Sequence, residues 1–236
     1  MKKNVVILLL LILVASCTTE QKPRIVYNEN GKPEALAQDT SAILMADLPI
    51  LIDSTDMLVH PIGALQFYES RSKIFGSYSG KGSTSFSVSN YGNYTFSGNL
   101  TNLKFEHIGS DKLIALTDKN IRINSARFLH DLYRKTRTKL FFYQIIDSDS
   151  NKDGRLDNND IEAIYFSHID GSNFRKLTAD NHELIDCKTI DAINRMYYKT
   201  IEDTNKDGVF DKNDQVHYYY ISLVDPSLTP IRYSPI

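Results

Sequence analysis

Tryptophan is absent from this 236-residue chain, cysteine occurs only twice, and no apolar run is long enough to cross a bilayer. Each absence removes a class of protein. Two cysteines, at 17 and 187, cannot form the disulfide framework on which small secreted domains depend. The balance of 27 basic against 29 acidic residues leaves no positive excess to meet phosphates, which excludes nucleic acid as a partner. A spanning helix needs about 20 apolar residues, and the longest run, Val5 to Ala15, falls well short. Catalytic signatures are missing too. The six histidines, at 60, 107, 130, 168, 182 and 217, form no His-x-x-x-His pair, and no Gly-x-Ser-x-Gly elbow is present. GSYSGKGSTS comes near a phosphate loop, but only Ser77, Tyr78 and Ser79 separate Gly76 from Gly80, where the pattern needs four residues. The Ser/aromatic alternation that follows it is a strand signal, so the segment reads as a flexible hairpin.

What is present begins at the N-terminus. Lys2 and Lys3 precede the short apolar run, and small residues follow it, which is the layout of a secretory signal over residues 1–16. Val14-Ala15-Ser16-Cys17 resembles the bacterial lipobox. The resemblance implies cleavage after Ser16 and acylation of Cys17, with anchoring to a membrane by lipid and not by a spanning helix. Thr18 stands where an Asp would retain many such lipoproteins in the inner membrane, so the expected location is the outer membrane, on its periplasmic or cell-surface face. Removing residues 1–16 takes away Lys2 and Lys3, which leaves 25 basic residues against 29 acidic, a net charge of −4. Residues 17–42 are polar and aperiodic after Cys17, and read as a flexible tether. Cys187, left without a partner, reads as a small buried hydrophobe.

From Ile43 the chain has β character. LVHPIGALQFY, KIFGSYSG, TSFSVS, NYTFSG, NLKFEHI and KLIALT are short runs of aromatic and β-branched residues cut by Gly, Asn and Ser. Fourteen Tyr and eleven Phe suit packed sheets. ARFLHDLYRKTR, from Ala126, alone has a helical look, and reads equally as a strand and loop.

Two strings dominate the C-terminal half: DSNKDGRLDNND, from Asp149 to Asp160, and DTNKDGVFDKND, from Asp203 to Asp214. Calcium takes six to eight oxygens. A twelve-residue loop supplies them from positions 1, 3 and 5, a backbone carbonyl at 7, often a water at 9 and a carboxylate at 12, with Gly at 6 for the turn. Asp149, Asn151, Asp153, Arg155 (carbonyl), Asp157 and Asp160 fill these positions in the first string, with Gly154 at the turn. Asp203, Asn205, Asp207, Val209 (carbonyl), Asp211 and Asp214 fill them in the second, with Gly208. Leu156 and Phe210 are placed to anchor the loops on a core. The reading is two Ca²⁺ sites. Asp at position 12, in place of the longer Glu, resembles dockerin-type and other extracellular calcium loops, and implies affinity on the order of 10⁻⁴ M. Such sites outside a cell act as structural staples.

The flanks are strands, not the ten-residue helices of an EF-hand: KLFFYQII and IEAIYFSHI surround the first loop, RMYYKTI and QVHYYYISL the second. Each unit therefore reads strand, calcium loop, strand, tight turn, strand, over about 139–177 and 188–233. IYFSHIDGSNFRKLT resembles the WD40-like β-propeller repeats of the Tol-associated type, and calcium loops in blade hairpins occur in integrin-type propellers. The resemblance implies an all-β domain over 43–236, a propeller-like array of antiparallel four-stranded blades with calcium loops in the blade hairpins. About three units are recognisable, with NLKFEHIGSDKLIALTD as a diverged earlier blade, although propellers close with four to eight. Three functions follow: a binding module for a protein or glycan, a hydrolase on the same scaffold, or a structural component of envelope assembly. The absence of catalytic signatures favours the binding module. A flat tyrosine face would support it, whereas a deep pocket lined by His or carboxylates would support the hydrolase.

Overall fold

Period-two alternation builds the first sheet. In β3 (Met57–Tyr68), Met57, Val59, Pro61 and Gly63 are buried while Leu58, His60 and Ile62 between them are half-buried. The computed structural model describes residues 23–27, 43–68, 81–84, 86–89 and 94–236. The signal segment, Ser16, Cys17 and the stretch KIFGSYSG lie outside the described residues.

The protein is all-β and antiparallel. Ahead of β3 come β1 (Ile43–Ala46) and β2 (Ile50–Leu51), which both pair along one edge of it. Pro61, with no N–H to offer a ladder, falls where that edge changes from β2 to β1. β4 (Lys81–Thr84) also pairs β3, and β5 (Phe86–Ser89) pairs the long β6 (Thr95–His107). β7 (Leu113–Ala115), β8 (Arg122–Phe128), β9 (Leu140–Ile146), β10 (Glu162–His168) and β11 (Arg175–Lys176) complete eleven strands, with the order β1-β3-β6-β8-β9-β10-β11 along the main path. A register shift between Ser97 and Leu100, beside Gly98 at φ +121°, bends β6. The curl brings the β10–β11 turn back to β6, so close that a Cβ on Gly171 would lie 2.6 Å from the Phe105 ring. The segment from Ala126 divides between its two readings. Its start ends β8, and α1 (His130–Thr136) forms the helix, closed by Arg137 in the left-handed region.

A second, four-stranded meander follows: β12 (His182–Ile190), β13 (Arg195–Glu202), β14 (Gln215–Ser222) and β15 (Ile231–Tyr233). Two cores result. Phe96, Leu103, Phe105, Phe128, Phe141 and Tyr143 fill the concave side of the curled sheet. Leu140, Phe142, Ile164 and Phe166 leave the other face of β9 and β10, and pack on Leu184, Met196, Tyr198 and Ile221 of the meander. Covering on both faces explains why six of the seven residues of β9, LFFYQII, are buried. The described residues form no closed barrel or propeller. The meander β12–β15 has the size of one blade, whereas the unit at 139–177 belongs to the large sheet.

Candidate functional site

Both acidic strings are loops within β-hairpins, as their flanks imply: the first joins β9 to β10 and the second β13 to β14. Their backbones match. Lys152 and Lys206, at position 4, have φ +57° and +59°, and Gly154 and Gly208, at position 6, have φ +85° and +83°. The short side chains fold each loop by accepting from its own N–H groups. Asn151 Oδ1 accepts from Asp153 N–H (2.9 Å), Asp153 Oδ1 from Arg155 N–H (3.0 Å) and Asp157 Oδ1 from Asn159 N–H (2.8 Å). Asn205, Asp207 and Asp211 repeat these three bonds at 3.1, 2.9 and 2.7 Å. Position 12 clasps each loop shut. Asp160 accepts from Ser150 N–H (2.8 Å) and Asp157 N–H (2.9 Å), and Asp214 from Thr204 N–H (3.0 Å) and Asp211 N–H (2.7 Å). Burial drives the Asp160 pKa above the usual carboxylate range, against the pull of those N–H donors.

Position 1 is where the loops differ. Asp149 uses both oxygens, Oδ1 accepting from Asp153 N–H (3.1 Å) and Oδ2 from Gly154 N–H (2.8 Å). Asp203, only 4% exposed, accepts through Oδ2 from Gly208 N–H (2.8 Å) and Tyr27 O–H (2.9 Å). Among the described residues, its Oδ1 is buried with no partner. An orphaned carboxylate oxygen is expensive to bury, and this one belongs to a set of oxygen donors of the kind calcium selects. The loop carboxylates nonetheless do not gather on one point. Among the described residues, the one group of three potential ligands within 4.8 Å of one another is His182, Glu202 and His217.

Residues 23–27, part of the segment read as a tether, are docked across both loops. Arg24 and Ile25 N–H both donate to Gly208 O (2.7 and 3.2 Å), and Val26 N–H donates to Ser150 O (2.7 Å). Ser150 Oγ donates to Arg24 O (2.7 Å), and the Arg24 guanidinium reaches Asp160 O (2.7 Å) and Glu183 Oε1 (2.8 Å). Ile25 is 4% exposed. Desolvation, with Asp203 beside it, holds the Tyr27 hydroxyl strongly toward its neutral form. This strap has no sequence signature, because its partners lie more than 120 residues away.

The histidines are also arranged by register. His182 pairs across from Glu202, and His217 across from Thr200, so all four project from the same face of the meander beside the second loop. His217 Nε2 lies 2.7 Å from Glu202 Oε2, and His182 Nε2 3.8 Å from the same atom. Burial lowers the His182 pKa despite Glu202 nearby. The separation of these residues in sequence, 182, 202 and 217, conceals the grouping.

On the opposite, outward face of the meander stand Tyr197, Tyr218, Tyr220 and Tyr233, with Tyr197–Tyr220, Tyr197–Tyr233 and Tyr218–Tyr233 centroids 5.7, 5.6 and 6.0 Å apart. All four are half-buried, and the Arg195 guanidinium caps the Tyr220 ring at 4.5 Å. A cleft of about 600 Å³ opens at the other end of the intersheet core, lined by His107, Arg137, His168 and Asp170 among others. Its lining serine, Ser167, donates to the His168 backbone carbonyl (2.7 Å), and Ser172, next to the lining residue Asn173, is not activated either. Ser172 donates its proton to Asp170 Oδ1 (2.6 Å), so His168 Nδ1, 3.0 Å from Ser172 Oγ, is the donor of that contact and not a base for it. Cys187 is half-buried, its thiol pushed up to about 11 by burial, as a packed and unreactive cysteine requires. No helix among the described residues is long and apolar enough to cross a membrane. No protein-family model matches the chain, and no curated protein matches it.

Proposed function

We propose that this chain is a lipid-anchored binding module of a bacterial outer membrane, in which calcium staples two hairpin loops and a tyrosine platform receives a glycan. The observation that carries the binding role is the outward array of Tyr197, Tyr218, Tyr220 and Tyr233. Rings packed against one another form a preorganised surface, apolar on its faces and hydrogen-bonding at its rims. A sugar has the same division, with C–H faces and hydroxyl edges, and Arg195 adds fixed donors. A protein partner would call for a pocket in which a side chain could be fully desolvated, and the four rings form a platform instead. The orphaned Asp203 Oδ1 supports calcium, as does the all-oxygen donor set repeated in both loops. Asp149, Asn151, Asp153, Asp157 and Asp160, with the Arg155 carbonyl, would hold one ion. Asp203, Asn205, Asp207, Asp211 and Asp214, with the Val209 carbonyl, would hold the other. The bound ions supply charge neutralisation, while the chain's own N–H ladder and strap hold the loops in place. The lipobox at Val14–Cys17 supports the lipid anchor. A propeller-like array would be completed by further four-stranded units beside β12–β15, contributed by other copies of the chain.

Native gel electrophoresis through soluble envelope and plant polysaccharides tests the platform. We expect retardation by at least one polysaccharide, lost in Tyr218→Ala/Tyr220→Ala with the thermal melt still cooperative. Retardation indifferent to those changes refutes the platform. Failure of every polysaccharide, together with platform-dependent capture of an envelope protein, would turn the reading to a protein ligand.

A further inference from the structure

Independently of the glycan and calcium readings, the geometry points to a third metal site of different chemistry: we propose that His182, Glu202 and His217 bind a zinc-class divalent ion. The donor set decides the class. Two imidazole nitrogens and one carboxylate suit zinc and its borderline-soft neighbours, whereas calcium takes oxygens. The spacing is close to what is needed. A tetrahedral ion with bonds of about 2.0–2.1 Å holds its ligand atoms roughly 3.4 Å apart. Glu202 Oε2 lies 2.7 Å from His217 Nε2 and 3.8 Å from His182 Nε2, which bracket that value, and all three ligand atoms fall within 4.8 Å of one another. The least constrained side chain, Glu202 at 44% exposure, is the one that would move, while His217 and His182 are held at 5% and 12%.

One outer contact supports the site, on His182; the Nδ1 of His217 is buried without a partner among the described residues. His182 Nδ1 lies 3.2 Å from Thr200 Oγ1, the kind of second contact that fixes a ligand ring and leaves Nε2 for the metal. The His182 and His217 rings lie 5.0 Å apart at 34°, with both Nε2 atoms directed at the same carboxylate. Three protein ligands leave a fourth position for water or a ligand's oxygen, and Glu202, 44% exposed, keeps the group open to solvent. Glu202 also precedes Asp203, the first residue of the second loop, so the two sites share one stretch of backbone.

Cobalt reports the coordination directly. Tetrahedral Co²⁺ with nitrogen ligands gives intense visible bands, whereas an octahedral all-oxygen site gives faint ones, so the acidic loops cannot imitate the signal. The full chain in mild detergent, saturated with calcium to occupy the loops, is titrated with Co²⁺ and then with Zn²⁺. We expect one strongly absorbing Co²⁺ per chain, displaced by one equivalent of Zn²⁺. The bands should vanish in His182→Ala and His217→Ala. Thr200→Val, which removes only the outer contact, should weaken binding about 10–100-fold. If either histidine variant loses its cooperative melt, Glu202→Gln decides, because it preserves shape at the exposed ligand and is expected to weaken binding at least tenfold. Faint bands only, bands that survive in a folded His217→Ala, a cobalt affinity unchanged in Glu202→Gln, or bands abolished by calcium would each overturn the site.

Discussion

Calcium should raise the melting temperature of this protein, and Asp203→Asn should reverse sign between metal-free and calcium-loaded conditions. At millimolar calcium and a dissociation constant near 0.1 mM, each site adds about 1.4 kcal/mol through RT ln(1 + [L]/Kd), and two sites about 2.8 kcal/mol. For a chain of this size, each kcal/mol moves the melting temperature by about 2–4 °C, so the full shift between EDTA and calcium is about 6–11 °C. Asp203→Asn separates this effect from ordinary damage. The Asn carbonyl can still accept from Gly208 N–H and Tyr27 O–H in place of Oδ2. The substitution also removes the negative charge, whose Oδ1 is buried without a partner among the described residues; the neutral amide that takes its place is the cheaper group to bury. In EDTA the variant should therefore melt at or above the parent. In calcium it should melt below the parent, having lost one of the two sites. Differential scanning fluorimetry of the four combinations reads the crossing directly. A parent melt indifferent to calcium refutes the metal reading, and a variant equally destabilised under both conditions refutes the role given to Oδ1.

Three further outcomes follow from contacts elsewhere. Gly154→Ala and Gly208→Ala place the same residue at the same loop position and share the left-handed backbone penalty, but a Cβ meets nothing within 4 Å at Gly154 and lies 2.4 Å from Ile25 O at Gly208. Denaturant titration should find Gly208→Ala worse by about 1–3 kcal/mol, and equal losses would mean that the strap is not docked in solution. Arg24→Met should cost about 1.5–3 kcal/mol, since Glu183 loses its charged partner in a largely buried position; a loss under half a kcal/mol would contradict that pairing. Cys187, with its thiol raised from 9.0 to about 11 by burial, should react slowly with thiol reagents at pH 8 and faster as pH approaches 11. Because the folded state holds this proton more tightly than the unfolded chain, its contribution to stability is complete below about pH 9 and lost as pH rises toward 11. Labelling at pH 8 as fast as in the denatured chain would contradict the burial.

Local pattern carried the sequence reading where structure is itself local. The paired strings could be placed in hairpins because both the loop chemistry and the alternation of their flanks reside within a few residues, and the matching dihedrals of Lys152/Lys206 and Gly154/Gly208 follow from that likeness. The all-β class was legible for the same reason. Partition into an eleven-stranded sheet and a meander was not, because Phe142 and Phe166 look the same in sequence whether they face the first core or the second. Similarly, His182, Glu202 and His217 meet only once β12, β13 and β14 are in register. The strap reads as tether because PRIVY has no periodicity, and its order comes from distant partners: carbonyls, carboxylates, the Ser150 hydroxyl and the burial of Ile25.

That strap also sets how the protein would stand on a bilayer. Read from sequence alone, Cys17 begins a leash of some two dozen residues on which the domain could tumble freely. Docked from Pro23, the leash shortens to six residues, which reach at most about 20 Å when fully extended. With a lipid on Cys17, the two acidic loops would face the headgroups, the cleft at the far end of β9 and β10 would point away from them, and the tyrosine platform would look out sideways. Divalent ions concentrated at an anionic membrane surface would then lie beside the loops, and the domain's heading would be set by five residues instead of by chance.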